Sequence, residues 1–286
     1  MKILLQKAIL LLSVLVLCCS AASAESVSSV FDAREDTTRV IEVPIIGLAT
    51  LYEQNNPLWT RIVYEYRNSP TARAFGDGGC GPTAASIVLG TLLDDTALEQ
   101  FNLLTSDGLP YSICPHAINR WDCSSCKDRL LLDTGAQIRR FLPLVLGSYA
   151  CGNNRTGSVS RRAGYSVGGS GGTGMQFLTE LCPELGLSCT MYNAEKDKSW
   201  LDLLGPGTMA VVLSNTSDSP FSARGHYVVL AAVDDDYFYI LDPIVKASYN
   251  KKMLEVLTPG FVRVQRTSGN YTRLCLDKAY VISLQN

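Results

Sequence analysis

The sequence predicts an α+β fold, with helices gathered in the earlier part of the chain and antiparallel strands after residue 205. Three observations carry that expectation. Apolar residues follow a helical pattern over 84–93, 136–146 and 175–185. From residue 208 the chain turns to short runs rich in Val, Leu, Ile and Tyr, at 208–213, 226–233 and 237–241. Asp234-Asp235-Asp236 separates the last two runs and reads as a hairpin turn, which makes them antiparallel. Helices followed by strands, rather than alternating with them, belong to the α+β class.

Taken in order, the chain opens on an export signal. Lys2 and Lys7 supply positive charge, residues 8–17 are apolar, and Ala22-Ser23-Ala24 has the small-x-small form of a signal-peptidase site. Residues 1–24 are therefore expected to be removed and the mature chain to be secreted. Leu17 is too large for the usual residue before a lipidated cysteine, so Cys18 and Cys19 do not mark a lipoprotein. Residues 25–44 are polar and charge-mixed and read as an extended N-terminal lead, with one folded domain over 45–286. No later apolar run approaches the roughly 18–20 residues of a membrane span.

Gly78-Gly79-Cys80-Gly81-Pro82-Thr83 leads into the helix at 84–93, with Pro82 suited to its first position. Thr96-Ala97-Leu98-Glu99 has the form of a capping box opening a second helix toward Leu104. Residues 114–126 read as loop, and the helix at 136–146 carries Ile138, Phe141, Leu142 and Leu146. Residues 152–174 are rich in Gly, Ser and Arg without periodicity, the pattern of a long surface loop. After the helix at 175–185, a short helix at 199–204 is stopped by Gly205-Pro206-Gly207, and 261–264 and 278–282 can add strands.

The formal net charge is −2, and removal of Lys2 and Lys7 makes it two units more negative. That balance offers no electrostatic case for nucleic acid or acidic membranes as partners. Arg139, Arg140, Arg155, Arg161 and Arg162 make the middle of the chain locally basic and read as solvated surface.

Of ten cysteines, Cys18 and Cys19 fall in the signal, leaving Cys80, Cys114, Cys123, Cys126, Cys151, Cys182, Cys189 and Cys275. An even number in an exported chain is compatible with complete pairing, which weighs against a free Cys80. Cys182 and Cys189 flank a turn at the end of a helix and read as a local clip. Cys123-Ser124-Ser125-Cys126, with Cys114 and His116 nearby, invites a zinc reading, but export favours disulfides, so no metal or cofactor is expected. The same four residues after Trp121-Asp122 have the outline of a redox centre without the strand that should precede one.

Cys80 stands where a chain can make a reactive thiolate. A helix N-terminus presents unpaired N–H groups and partial positive charge, both favouring S⁻, and Gly79 and Gly81 leave room for an approaching substrate. The plainer alternative is half of a disulfide. His226 opens a strand directly after Gly225, and the hairpin at 234–236 brings Asp242 within about two positions of the residue opposite it. An Asp there fixes the imidazole tautomer and leaves the other ring nitrogen to take a thiol proton. Read singly, His226 is a strand-end histidine and Asp242-Pro243 a strand terminator.

Read together, they form a set. Gln54-Asn55-Asn56-Pro57-Leu58-Trp59, Gly79-Cys80-Gly81-Pro82-Thr83-Ala84-Ala85-Ser86, Gly225-His226-Tyr227-Val228-Val229-Leu230 and Leu241-Asp242-Pro243 occur in that order. The set resembles the papain-clan cysteine peptidases of the double-glycine-leader type (peptidase family thirty-nine), and especially their stand-alone exported relatives. Residues 177–187 and 203–212 resemble that family's helix–turn and strand, and the likeness spans about residues 45 to 243. It implies a papain-like fold with the nucleophile at the N-terminus of a helix packed on an antiparallel sheet. It also implies Cys80 as nucleophile, His226 as acid and base, Asp242 as its orienter, Gln54 in the oxyanion hole, and a peptide or protein as substrate. The cysteine-bearing segment 114–151 and the Gly/Ser/Arg loop lie outside the family pattern.

Other readings remain. A cell-wall endopeptidase or an acyltransferase would use the same Cys and His, and a secreted, disulfide-rich binding or structural protein would keep the fold without turnover. Gly168-Gly169-Ser170-Gly171-Gly172 satisfies the serine-hydrolase elbow, but 161–167 is too polar to be the buried strand it needs. The same glycines lack the Gly-Lys-Ser/Thr ending of a phosphate cradle. Asn154, Asn215 and Asn270 head glycosylation sequons, usable only in a host that glycosylates.

Overall fold

Three two-stranded ladders and a buried helix precede a seven-stranded sheet. A computed structural model describes residues 31–64, 73–104, 110–116, 128–150, 173–215, 217–222, 225–246, 249 and 252–285. The signal segment, Cys123, Cys126, Cys151, Asn154, Arg155, Arg161, Arg162 and the glycines at 168–172 lie outside the described residues.

β1 (Arg39–Val43) pairs antiparallel with β2 (Gly47–Leu51), so a domain boundary at residue 44 would cut through a hairpin. The lead is also anchored further upstream. Phe31 is buried edge-on against Phe141, with ring centroids 5.0 Å apart, and Asp36 accepts a hydrogen bond from the Asn56 side chain at 2.8 Å. At least from Phe31 on, the segment is part of the folded body because it supplies an apolar side chain to the core.

β3 (Val63–Tyr64) and β4 (Arg73–Ala74) make a short ladder that delivers the chain to α1 (Phe75–Gly78). α2 (Cys80–Leu92) follows at once, beginning at Cys80 rather than at Ala84. Pro82 thus sits third in the helix, where the missing N–H would also have lacked an intrahelical partner. Gly81 through Gly90 are all buried, as expected for a helix that is small and apolar on every face. It packs on β2 and on the strands described below.

The next helix is broken in two, α3 (Asp95–Leu98) and α4 (Gln100–Leu103). Its cap is Asp94, whose carboxylate accepts from Ala97 N–H at 2.8 Å, not the expected Thr96–Glu99 box. Glu99 instead accepts from Gly135 N–H at 3.1 Å. A capping box does form where none was expected, between Thr134 and Gln137.

β5 (Tyr111–Ile113) and β6 (Leu130–Leu132) pair, and the single helix expected at 136–146 is α5 (Gly135–Arg140) followed by α6 (Leu142–Ala150). The break falls at Phe141, with Pro143 just beyond it unable to donate a backbone hydrogen bond. Arg139 is not solvated surface. Its guanidinium donates to Gly90 O and to Leu93 O (2.6 Å) and pairs with Asp95 at 2.6 Å, satisfying carbonyls at the end of α2. Arg140 lies 3.6 Å from both Asp32 and Asp36, tying the N-terminal segment down.

A 3-10 turn (Met175–Phe177) leads into α7 (Leu178–Glu184), then β7 (Leu187–Asn193), a second 3-10 turn (Ser199–Leu203), β8 (Thr208–Ser214), β9 (His226–Val233), β10 (Tyr237–Leu241), β11 (Glu255–Thr258), β12 (Phe261–Gln265), α8 (Ser268–Arg273) and β13 (Leu276–Leu284). Seven of these strands form one antiparallel sheet in the order β11-β12-β10-β9-β8-β13-β7. Both faces are covered. Along β9, Val229 and Ala231 join the core shared with α2, while Val228 and Leu230 join a second core with Trp200, Tyr271 and Leu274. Two covered faces explain why the sequence of β9 is continuously apolar rather than alternating.

Candidate active site

Cys80 is the first residue of α2, and its half-buried thiol lies where the helix meets the start of β9. No side chain caps this helix end. The N–H groups of Gly81 and Tyr227 and the ring of His226 are the groups that act on Cys80 Sγ. Burial pushes the thiol pKa up, but the hydrogen bond and charge of His226, helped by the two N–H groups, carry it below its ordinary value.

The glycines around Cys80 serve a different purpose from the one the sequence implied. A Cβ on Gly79 would fall 2.5 Å from the Phe75 ring, and one on Gly81 would fall 2.7 Å from Met175 Sδ, close also to Thr173 and Tyr227. They let the protein close around the helix start rather than open a path for a substrate.

His226 is delivered by a backbone device. Gly225 has φ +79°, in the left-handed region, and a Cβ there would meet Asn215 Oδ1 at 2.8 Å. β9 begins on the next residue. The turn at Asp234 is closed by its own carboxylate, which accepts from the N–H groups of Asp236 (2.8 Å) and Tyr237 (2.6 Å). β10 then returns beside β9 with a bulge at Tyr239/Ile240, after which Leu241 faces Val229. Continuing that register, Asp242 lies two positions from the residue opposite His226 and so diagonally across from His226, within side-chain reach. His226 Nε2 donates to Asp242 Oδ1 at 2.6 Å, with the two side chains 2% and 0% exposed. Because Nε2 carries that bond, Nδ1 is the nitrogen left for the thiol. Burial works against the charged imidazole, yet the charge and hydrogen bond of Asp242, and then Cys80, push its pKa up to about 10.

Gln54 is bound to both halves of this arrangement. Its backbone N–H donates to Pro243 O at 2.7 Å, beside Asp242, and its side-chain Nε2 donates to Gly76 O at 2.6 Å, in α1 just ahead of Cys80. The Gly76 carbonyl fixes which end of the amide is nitrogen, since an oxygen there would face another oxygen. One Nε2 hydrogen remains for a ligand, and Oε1 is buried with no partner among the described residues. The loop is rigid around it: Trp59 Nε1 donates to Glu53 O at 3.0 Å, and the buried Asn56 accepts from Leu58 N–H at 2.9 Å.

Of the four residues singled out in the sequence, Cys80, His226 and Asp242 come together directly, while Gln54 is tied to the residue after Asp242 and to the helix just ahead of Cys80. The sequence did not single out Tyr249, whose hydroxyl donates to Asp242 Oδ2 at 2.7 Å, nor the N–H of Ile244, which donates to Oδ1 at 2.8 Å. Nothing in the local sequence marks Tyr249, because its partner is set by the path of the chain after β10.

The other cysteines form no disulfide among the described residues. Cys182, on α7, is hydrogen-bonded through its thiol to Cys189, on β7, and that contact together with burial pushes the Cys182 pKa up. Cys114 Sγ lies 3.8 Å from His116 Nδ1. No group of three or more His, Cys, Asp or Glu among the described residues is arranged to hold a metal. None of their helices is long and apolar enough to cross a membrane. If the juxtaposed pair closes as the local clip, Cys182 and Cys189 will resist alkylation in the native, unreduced protein and label only after reduction, as peptide mapping would read. Labelling of both without reductant would show that the clip is absent.

Comparison with protein-family models, with curated proteins and with solved structures finds no match to this chain.

Proposed function

We propose that this chain is an exported, papain-like cysteine peptidase that cleaves a peptide bond through a thioester on Cys80. The observation that supports it most is the relay in which the Cys80 thiol stands against the His226 imidazole and that ring is bonded to the buried Asp242 carboxylate. Such a relay is costly to bury unless each charge is paired, and an ion pair of thiolate and imidazolium is the form a cysteine nucleophile works in.

In this reading Cys80 Sγ attacks the substrate carbonyl carbon, and the oxygen takes up the displaced electron pair. The free Nε2 hydrogen of Gln54 and the Cys80 N–H receive that oxyanion. The C–N bond then breaks, and the departing amine takes a proton from His226. Water enters, gives a proton back to His226, and its oxygen displaces the sulfur to release the carboxylic acid. Asp242 holds the imidazole in one tautomer throughout.

The direct test is labelling of the folded, unreduced protein with iodoacetamide or an epoxide probe. Cys80 is expected to react much faster than an ordinary thiol at neutral pH, and an ordinary rate would overturn the reading. Peptide cleavage separates turnover from mere reactivity, because a binding protein on the same fold would label and cleave nothing. Gln54→Ala is expected to lower kcat by about 10²–10³-fold, the effect of losing one oxyanion donor. Alkylation of Cys80 in that variant should change little, since alkylation forms no oxyanion.

A further inference from the structure

The Asp242 carboxylate has two oxygens, and they are held differently. Oδ1 accepts from both His226 Nε2 (2.6 Å) and Ile244 N–H (2.8 Å), while Oδ2 accepts from the hydroxyl of Tyr249 at 2.7 Å. The Tyr249 ring is itself located. It meets the buried Phe221 edge-to-face, with centroids 6.2 Å apart, and Lys246 Nζ lies 5.2 Å from its centre while donating to Phe221 O at 2.7 Å. Asp242 is fully buried, so no solvent stands ready to replace a lost donor on Oδ2.

We infer that Tyr249 is a positioning residue, which fixes the rotation of the Asp242 carboxylate and through it the ring of His226. Two bonds on one oxygen leave the carboxylate able to pivot, and a bond to the second oxygen stops the pivot. Burial, and then the charge and hydrogen bond of Asp242, raise the phenol pKa, so Tyr249 remains a donor over the working range. The catalytic consequence rests on the cysteine-peptidase reading, whereas the geometric one does not.

Tyr249→Phe removes one oxygen and keeps the ring against Phe221 and Lys246. With a peptide substrate, kcat is expected to fall about ten- to hundredfold, the range for a lost hydrogen bond to a charged group, with KM nearly unchanged. In the resting protein, the proton NMR signal of His226 Nε2–H, bonded to Asp242, should move and exchange faster with solvent. Tyr280→Phe deletes another buried hydroxyl, one with no hydrogen-bond partner among the described residues, and serves as control; both readouts should stay at the parent values. A Tyr249→Phe protein with an unmoved His226 proton overturns the inference, as does one in which the control behaves the same way. If the parent cleaves nothing and Cys80 labels slowly, the peptidase reading fails. The His226 signal then still decides the positioning role by itself.

Discussion

His226→Ala is expected to turn Cys80 into a slow thiol, lowering its alkylation rate at pH 7 on the order of 10–100-fold. Two effects add. Removing the imidazolium takes away the hydrogen bond and the charge that hold the thiol pKa down, leaving the two N–H groups against the larger effect of burial. An ordinary thiol near pKa ~8.5 is a few per cent ionised at neutral pH, and a desolvated one less. The loss is moderated because a more basic thiolate is intrinsically more nucleophilic. The pH profile reads the same change. In the parent, labelling persists as pH falls below the ordinary thiol range and is lost when the lowered Cys80 value is crossed. Rising through about 10, His226 gives up its proton, so turnover loses its acid while labelling continues. In His226→Ala the labelling limb moves to the alkaline side. A profile unchanged from the parent would remove His226 from the site.

Asp242→Asn should lower peptide turnover by about 10²–10⁴-fold while leaving the fold in place. An amide can still occupy the space, but it no longer supplies the charge that most strongly favours the imidazolium against burial. Its nitrogen would also face a donor, either on the Oδ1 side, at His226 and Ile244, or at Tyr249. Asp242→Ala goes further. It strands buried donors and breaks a fully buried pair, at a cost of roughly 3–5 kcal/mol in denaturant unfolding. Equal activity in Asp242→Asn and the parent would make Asp242 a strand terminator and nothing more.

How much of this was legible in the sequence depends on the range of the physics involved. β8, β9 and β10 lie within a residue or so of the runs that announced them, because strand composition and the Asp234 turn are local signals. β7 and β11 carried no comparable signal. β7 is exposed or half-buried along most of its length, so its sequence does not have to be apolar. The Thr96 box failed because Asp94 lies closer to the true helix start, and two residues of cap chemistry compete on equal terms. Arg139 looked like surface charge because the carbonyls it satisfies belong to residues far away in sequence.

The candidate site divides the same way. By itself the sequence determined the ingredients and one of the links: a cysteine at a helix start, a histidine after a glycine, and a turn that brings Asp242 back beside it. These follow from backbone preferences acting over a few residues. Only the tertiary structure decided that α2 points Cys80 at His226, that Gln54 bridges Gly76 and Pro243, and that Tyr249 closes the second oxygen of Asp242. Those contacts join residues from separate elements, and their register is set by how the helix packs on the sheet. A propensity summed along the chain contains no information about that packing.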